Sequence, residues 1–338
     1  MAFIHGNLTS DKEEMICLYG EYRHYVVSSP GGCDDWLWCR ELPIFRTMKI
    51  RCFCSLCLML LVIDGQLSAQ QKGWIPAGSL KIYYEKTGKG KPIVFLHAGY
   101  MDHAMWSKQV AFFSRTNTVI TIDQPRHGLT TGNDSITLIA DVLRICLDSL
   151  HIKKASFAGL SLGGVSIADF AIAYPDRLDK LIFVCAGLNG SDNVIKTDSV
   201  TQAVFDRIKA ANETEQIKEV ARVFTLNWCD GPFRKPNEVD PAIREYVYNH
   251  VVSTLDSQLN NHAPVFKMDP VAAARINEIK NKTLIICADK DVPLILSIGN
   301  YLHEKIRHST LRVIHGSAHM VNMEKPDEFN AMVRTFLK

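Results

Sequence analysis

KASFAGLSLGGVSIADFAIAY, residues 154–174, changes its period once. The run KASFAG (154–159) is short and apolar, as a strand buried on both faces should be. From Val165 onward the apolar residues recur at helical spacing. Between the two lie Gly159, Leu160, Ser161, Leu162 and Gly163, a G-x-S-x-G sequence at a strand-to-helix junction. A turn that tight forces the serine into a strained backbone, and glycines two residues to either side leave room for it. At the start of the following helix the N–H of Leu162 points to where negative charge would develop on a reacting carbonyl. Ser161 is therefore the expected nucleophile, with Leu162 one of its oxyanion donors.

Working outward, apolar runs of four to seven residues alternate with amphipathic stretches. Strands are expected at LKIYYEK (80–86), PIVFLH (92–97), TVITID (118–123), KLIFVCA (180–186), TLIICA (283–288) and LRVIH (311–315). Helical patterns fall at 104–115, 136–150, 164–174, 293–306 and 325–337. The alternation implies an α/β fold, a mostly parallel sheet flanked by helices. One interval lacks a buried strand: 188–282 carries helical patterns at 200–224 and 242–259. It reads as a helical cap inserted between the core segments 70–187 and 283–338, placed over the sheet edge where ligands bind.

A serine hydroxyl is a poor nucleophile at neutral pH and needs a base. Of the 12 histidines, His319 lies in a loop beyond the strand LRVIH and just before the final helix, at that same sheet edge. His315 ends the strand and is expected to pack or cap. A third group must fix the imidazole tautomer and stabilise its positive charge. Asp289 and Asp291 both follow TLIICA, and either can instead cap the next helix. Their order, after the serine and before the histidine, suits this architecture. A second oxyanion donor is expected from Gly99 or Tyr100, in the glycine-bearing loop after PIVFL. His97, Asp123 and His127 are expected to fix turns.

With these residues assembled, the chain from about Trp74 to Lys338 resembles the α/β-hydrolase superfamily, and within it the esterase, enol-lactonase and cofactor-free perhydrolase group. The likeness rests on LHAGYMDHAMW with Asp102 and Trp106, on DQPRHGLT, on GLSLGG and on GSAHMVNMEKPDEF. Residue by residue, the resemblance implies Gly99 as the oxyanion donor and Asp291, three residues beyond Ala288, as the acid. Ala98, Arg126 and Thr130 depart from the family's usual glycine, glycine and serine.

Composition agrees with a small, weakly charged partner. A formal charge of +2 gives no basic stripe, so neither nucleic acid nor an anionic membrane surface is implied. Cys185 and Cys287 lie in apolar strand-like runs and are expected to be small buried hydrophobes. Cysteine is denser early, at Cys17, Cys33, Cys39, Cys52, Cys54 and Cys57. From Met48 the sequence runs MKIRCFCSLCLMLLVIDGQLSAQQK, with positive charges, a short apolar core and small residues. This is the order of a secretory signal peptide, 48–69, cleaved after Ala69. The apolar core is too short to span a bilayer, so no stable membrane insertion is expected after processing. Residues 1–47, upstream of a segment that should begin a protein, show no clear period and are expected to be spurious or disordered.

The expected activity is hydrolysis of a carboxylic ester or lactone of a small molecule through an acyl-enzyme, without metal or organic cofactor, in a secreted or periplasmic protein. A carbon–carbon bond hydrolase would share all these residues. A slow-turnover ligand-binding protein of the same fold is the alternative from another class.

Overall fold

The computed structural model describes residues 15–19, 22–26, 70–132, 138–258 and 269–338. The chain forms two compact units, Met1–Gly65 and Gln66–Lys338. In the first, β1 (Met15–Tyr19) pairs antiparallel with β2 (Tyr22–Val26), where no strand period was read. The signal-like segment 48–69 lies outside the described residues.

The second unit is built on an eight-stranded sheet. Its strands are β3 (Gln71–Ala77), β4 (Leu80–Thr87), β5 (Lys91–Leu96), β6 (Asn117–Ile122), β7 (Ala155–Leu160), β8 (Leu178–Val184), β9 (Thr283–Ala288) and β10 (Ser309–Ile314). Their order is β10-β9-β8-β7-β5-β6-β4-β3. β6 to β10 and β5 run parallel, while β4 pairs antiparallel with both β3 and β6. Every residue of β7 and β9 is buried, as a parallel sheet covered on both faces requires.

β3 was not expected. It is an edge strand with one side largely in water, and Trp74 is 55% exposed. Gly73 and Pro76 further weaken its strand signal, because both are confined to edges or irregularities in sheets. It is held by pairing with β4 and by the Trp74 indole, which donates to the Leu129 carbonyl at 3.0 Å.

The flanking helices are α1 (Ser107–Phe113), α2 (Ile139–Ser149) and α3 (Leu162–Ala173). Between β8 and β9 come α4 (Ser199–Glu213), α5 (Ile217–Phe224) and α6 (Pro241–Gln258), with no strand among the described residues of that interval. The expected pattern at 200–224 thus splits in two. Thr214 and Gln216 flank Glu215, whose φ of 54° ends the helical run, since a side chain in the left-handed region cannot continue a right-handed helix. After the insertion come α7 (Pro293–Lys305) and α8 (Pro326–Leu337). Among the described residues no helix is long and apolar enough to cross a membrane.

Candidate active site

Three loops at the ends of parallel strands bring the expected residues together. Ser161 sits between β7 and α3 with φ 54° and ψ −109°, a conformation that costs a non-glycine residue of order 1–3 kcal/mol. The surroundings over-determine it. Its N–H donates to the Val184 carbonyl at 3.1 Å, and its carbonyl accepts from Gly187 at 3.0 Å and Val165 at 3.2 Å. The neighbouring glycine is required by space: a Cβ on Gly159 would lie 2.2 Å from the Gly163 carbonyl oxygen. Leu162 begins α3, so its N–H has no partner owed to it within the helix.

Asp291, in the loop after β9, is fully buried. Its Oδ2 lies 2.7 Å from His319 Nδ1, and its Oδ1 accepts from the Val292 N–H at 2.7 Å. The carboxylate thereby assigns the proton of His319 to Nδ1 and leaves Nε2 as the acceptor. Asp289 is placed elsewhere: its Oδ1 accepts from the Gly316 N–H at 2.7 Å, and Lys290 and His315 lie 3.2 and 3.4 Å from its Oδ2. It staples the start of the loop that carries His319. His315 itself is 81% exposed.

The competing histidines are committed to structure. His97 is buried, its Nε2 accepts the Gln124 N–H at 2.9 Å, and burial pushes its pKa below the ordinary value. His127 stands 5.0 Å from the His97 ring, and burial, with His97 beside it, pushes its pKa down to about 3. Asp123 accepts from the His103 N–H at 2.7 Å and the Leu129 N–H at 2.8 Å. The departures from the family pattern are absorbed. Thr130 keeps the hydroxyl function, donating to the Asp123 carbonyl at 2.6 Å and accepting from the Tyr83 N–H at 2.9 Å. Ala98 is buried without a positive φ, whereas Arg126 takes φ 70°, where glycine would be unstrained.

A cavity of about 230 Å³ opens over these groups, bordered by Ser161, His319, Gly99 and Tyr100 on the sheet side and by α4, α5 and Trp228 on the cap side. The cap therefore covers the strand ends. Of Phe224, Trp228, Phe233 and Tyr246 in the insertion, the first two border this cavity. Phe233 is instead 53% exposed, and Tyr246 stacks on His250 with ring centroids 3.9 Å apart.

Several contacts around the site have no local sequence signal. The Trp228 ring lies 4.6 Å from that of His319, and the Trp228 carbonyl accepts the His319 N–H at 3.2 Å. Arg234 and Glu324 form a buried ion pair at 2.6 Å. Arg234 also donates to the carbonyls of Asp230 and Cys229 at 2.8 Å each, and Glu324 accepts the Ala318 N–H at 3.0 Å. This pair ties the cap turn at Thr225–Asp230 to the histidine loop. Cys185 also differs from a bland core residue: it is buried with φ 39° and lies beside Asp291. Cys185, Asp291 and His319 offer ligand-type atoms within 4.8 Å of one another, the one such cluster among the described residues. Burial, and the charge of Asp291 beside it, push the Cys185 thiol well above its ordinary pKa, which keeps it a neutral S–H.

Comparison with known proteins agrees with this geometry. Residues 91–326 match the family described as alpha/beta hydrolase fold. A 2-hydroxy-6-oxo-6-phenylhexa-2,4-dienoate hydrolase of Comamonas testosteroni is 26% identical over 76% of this chain and 91% of its own length. The 3-oxoadipate enol-lactonase 2 of Acinetobacter baylyi is 26% identical over 73% of this chain and 88% of its own. Among solved structures, Est816, an N-acyl homoserine lactone degrading enzyme, is 25% identical with a TM-score of 0.63, covering 78% of this chain and 99% of Est816. The esterase RhEst1 from Rhodococcus sp. ECU1013, 21% identical with a TM-score of 0.64 over 80% of this chain and 98% of its own, shares the fold. A match that takes in more than half the residues, joined to an eight-stranded sheet of this order, places the chain in the α/β-hydrolase fold family.

Proposed function

We propose that this chain is a serine hydrolase that cleaves a carboxylic ester or lactone of a small molecule in two steps. His319 Nε2 takes the proton of Ser161 as its oxygen attacks the carbonyl carbon. The oxyanion is held by the N–H groups of Gly99 and Leu162, while Asp291 orients and stabilises the imidazolium. The proton passes to the leaving alkoxide, and water, activated by the same imidazole, then releases the acid from Ser161. The observation that carries this reading is the buried 2.7 Å contact of Asp291 with His319 on the rim of the cavity that Ser161 enters from a strained turn. A bland loop would not combine them.

A second reading, carbon–carbon bond hydrolysis with the same residues, is supported by the dienoate hydrolase among the relatives. Both readings require Ser161. A fluorophosphonate should label the wild type and leave Ser161→Ala unlabelled and inactive, with an unchanged fold. Labelling that persists in Ser161→Ala would overturn both. Turnover of simple esters against β-diketones and dienoates then separates them, and steady turnover after any burst distinguishes an enzyme from a slow ligand-binding relative. We propose also that the protein is exported. The charges, short apolar run and small residues of 48–69 support this, and a mature N-terminus near Gln70 is its test.

A further inference from the structure

The two cap helices that roof the cavity present helical stripes to it. From α4 come Ile208, Ala211 and Asn212, and from α5 come Val220, Val223 and Phe224, each set spaced i, i+3, i+4 as one face of a helix must be. The charged residues of the same helices point elsewhere. Arg207 is held by the Asn227 Oδ1 at 2.8 and 3.0 Å, and Arg222 is clasped by Glu219 at 2.7 and 2.8 Å on the outer face. Among the described residues, no lysine, arginine, aspartate or glutamate borders the cavity. Asn212 is the polar side chain the cap contributes, and it is neutral.

From this lining we infer that the acyl group accepted beside Ser161 is short, apolar and uncharged. The inference rests on the serine-hydrolase reading and narrows its substrate class. A carboxylate carried into this space would lose its hydration and meet no lysine or arginine among the described lining residues, which is costly for an isolated charge. An alkyl or aryl chain meets mostly aliphatic and aromatic surface. At about 230 Å³ the space lies below the roughly 300–1,000 Å³ of pockets for drug-sized ligands, so the acyl group is small. Selection therefore acts through the cap rather than through the catalytic groups, which treat both kinds of ester alike.

The test is a matched pair of substrates, 4-nitrophenyl hexanoate and the 4-nitrophenyl monoester of adipic acid, which have equal chain length but differ by a terminal carboxylate. The wild type should favour the hexanoate in kcat/KM by on the order of 100-fold. Asn212→Arg, at an exposed cap position, supplies a cation to the rim and should narrow that ratio by roughly tenfold. A wild-type ratio under about tenfold, or a preference for the adipate ester, overturns the inference. A ratio unmoved by Asn212→Arg overturns it too, because the missing cation is then not the cause. Should neither ester be turned over and Ser161 resist fluorophosphonate, the hydrolase reading itself has failed. Turnover at equal rates by a labelled Ser161 defeats only the substrate class.

Discussion

On the sheet side of the cavity, Ser161, Asp291 and His319 each follow a strand end by a few residues and are held by main-chain hydrogen bonds to neighbouring loops. On the cap side, the lining comes from two helices and a turn, and distant side-chain pairs, Arg234 with Glu324 and His250 with Asp102, tie the cap to loops of the core. The first arrangement is stiff because β-strands buried on both faces cannot shift without breaking a dense core. The second is tunable, because each tie is one or two side chains. On the proposed function, chemistry lies on the rigid part and substrate choice on the adjustable part, the usual division between scaffold and loop.

Substitutions sharpen this contrast, and the greatest effect is expected on the rigid side. Asp291→Asn keeps the shape of the site but reverses the polarity of the bond to His319 Nδ1, so kcat should fall by about four orders of magnitude. Asp289→Asn preserves an acceptor for the Gly316 N–H and should cost less than tenfold. Steady-state rates of both variants on one aryl ester decide the matter. Equal losses would show that the acid has been misplaced.

Next in size is the tie between cap and histidine loop. Arg234→Met leaves Glu324 buried without its partner, both side chains being only 7% exposed, and should destabilise the protein by about 3–5 kcal/mol. Urea unfolding measures this. Since Glu324 also accepts the Ala318 N–H, next to His319, the rate should fall as well. Full stability in the variant would mean that the pair carries no coupling.

The smallest effect should be that of pH on the clamp between α6 and the loop after β5. There His250 Nε2 lies 3.5 Å from Asp102, and the Thr254 hydroxyl donates to the Tyr100 carbonyl at 2.8 Å. Burial alone would lower His250, and the nearby His103 acts the same way, but the hydrogen bond and charge of Asp102 outweigh them and hold its pKa above the ordinary 6.5. Asp102 is held below the ordinary 3.8, against its own burial, by His250 first. The histidine's contribution is complete below the ordinary histidine value and is lost as pH rises through the raised one. The aspartate's is complete above the ordinary carboxylate value and is lost as pH falls through the lowered one. Both groups are about a quarter exposed, so the clamp contributes under ~1 kcal/mol. Hydrogen exchange in α6, corrected for intrinsic rate, should quicken from neutral to alkaline pH in the wild type and stay flat in His250→Phe.

How much of this was legible in the sequence follows the same division. The loops that carry Ser161, Asp291 and His319 could be read because each is tied to a local change of period: apolar run to glycine turn, apolar run to acidic loop, strand to final helix; between Asp289 and Asp291 only the family resemblance chose. The helical nature of 188–282 was legible for the same reason. β3 was not, because an edge strand in contact with water lacks the apolar run that marks its buried neighbours. Arg234 with Glu324, 90 positions apart, and His250 with Asp102 leave no local trace, since an ion pair between distant segments alters neither periodicity nor turn chemistry. Cys185 looked like an ordinary core residue because its composition and setting are those of one; only the fold sets it against Asp291.

The most direct test of the central claim is to trap the covalent intermediate. Rapid acid quenching of the protein mixed with excess 4-nitrophenyl hexanoate, followed by digestion and mass measurement, should show the acyl group on the peptide that spans Ser161, absent from Ser161→Ala. Hydrolysis that proceeds with no acyl adduct, or with the adduct on another residue, would contradict the account.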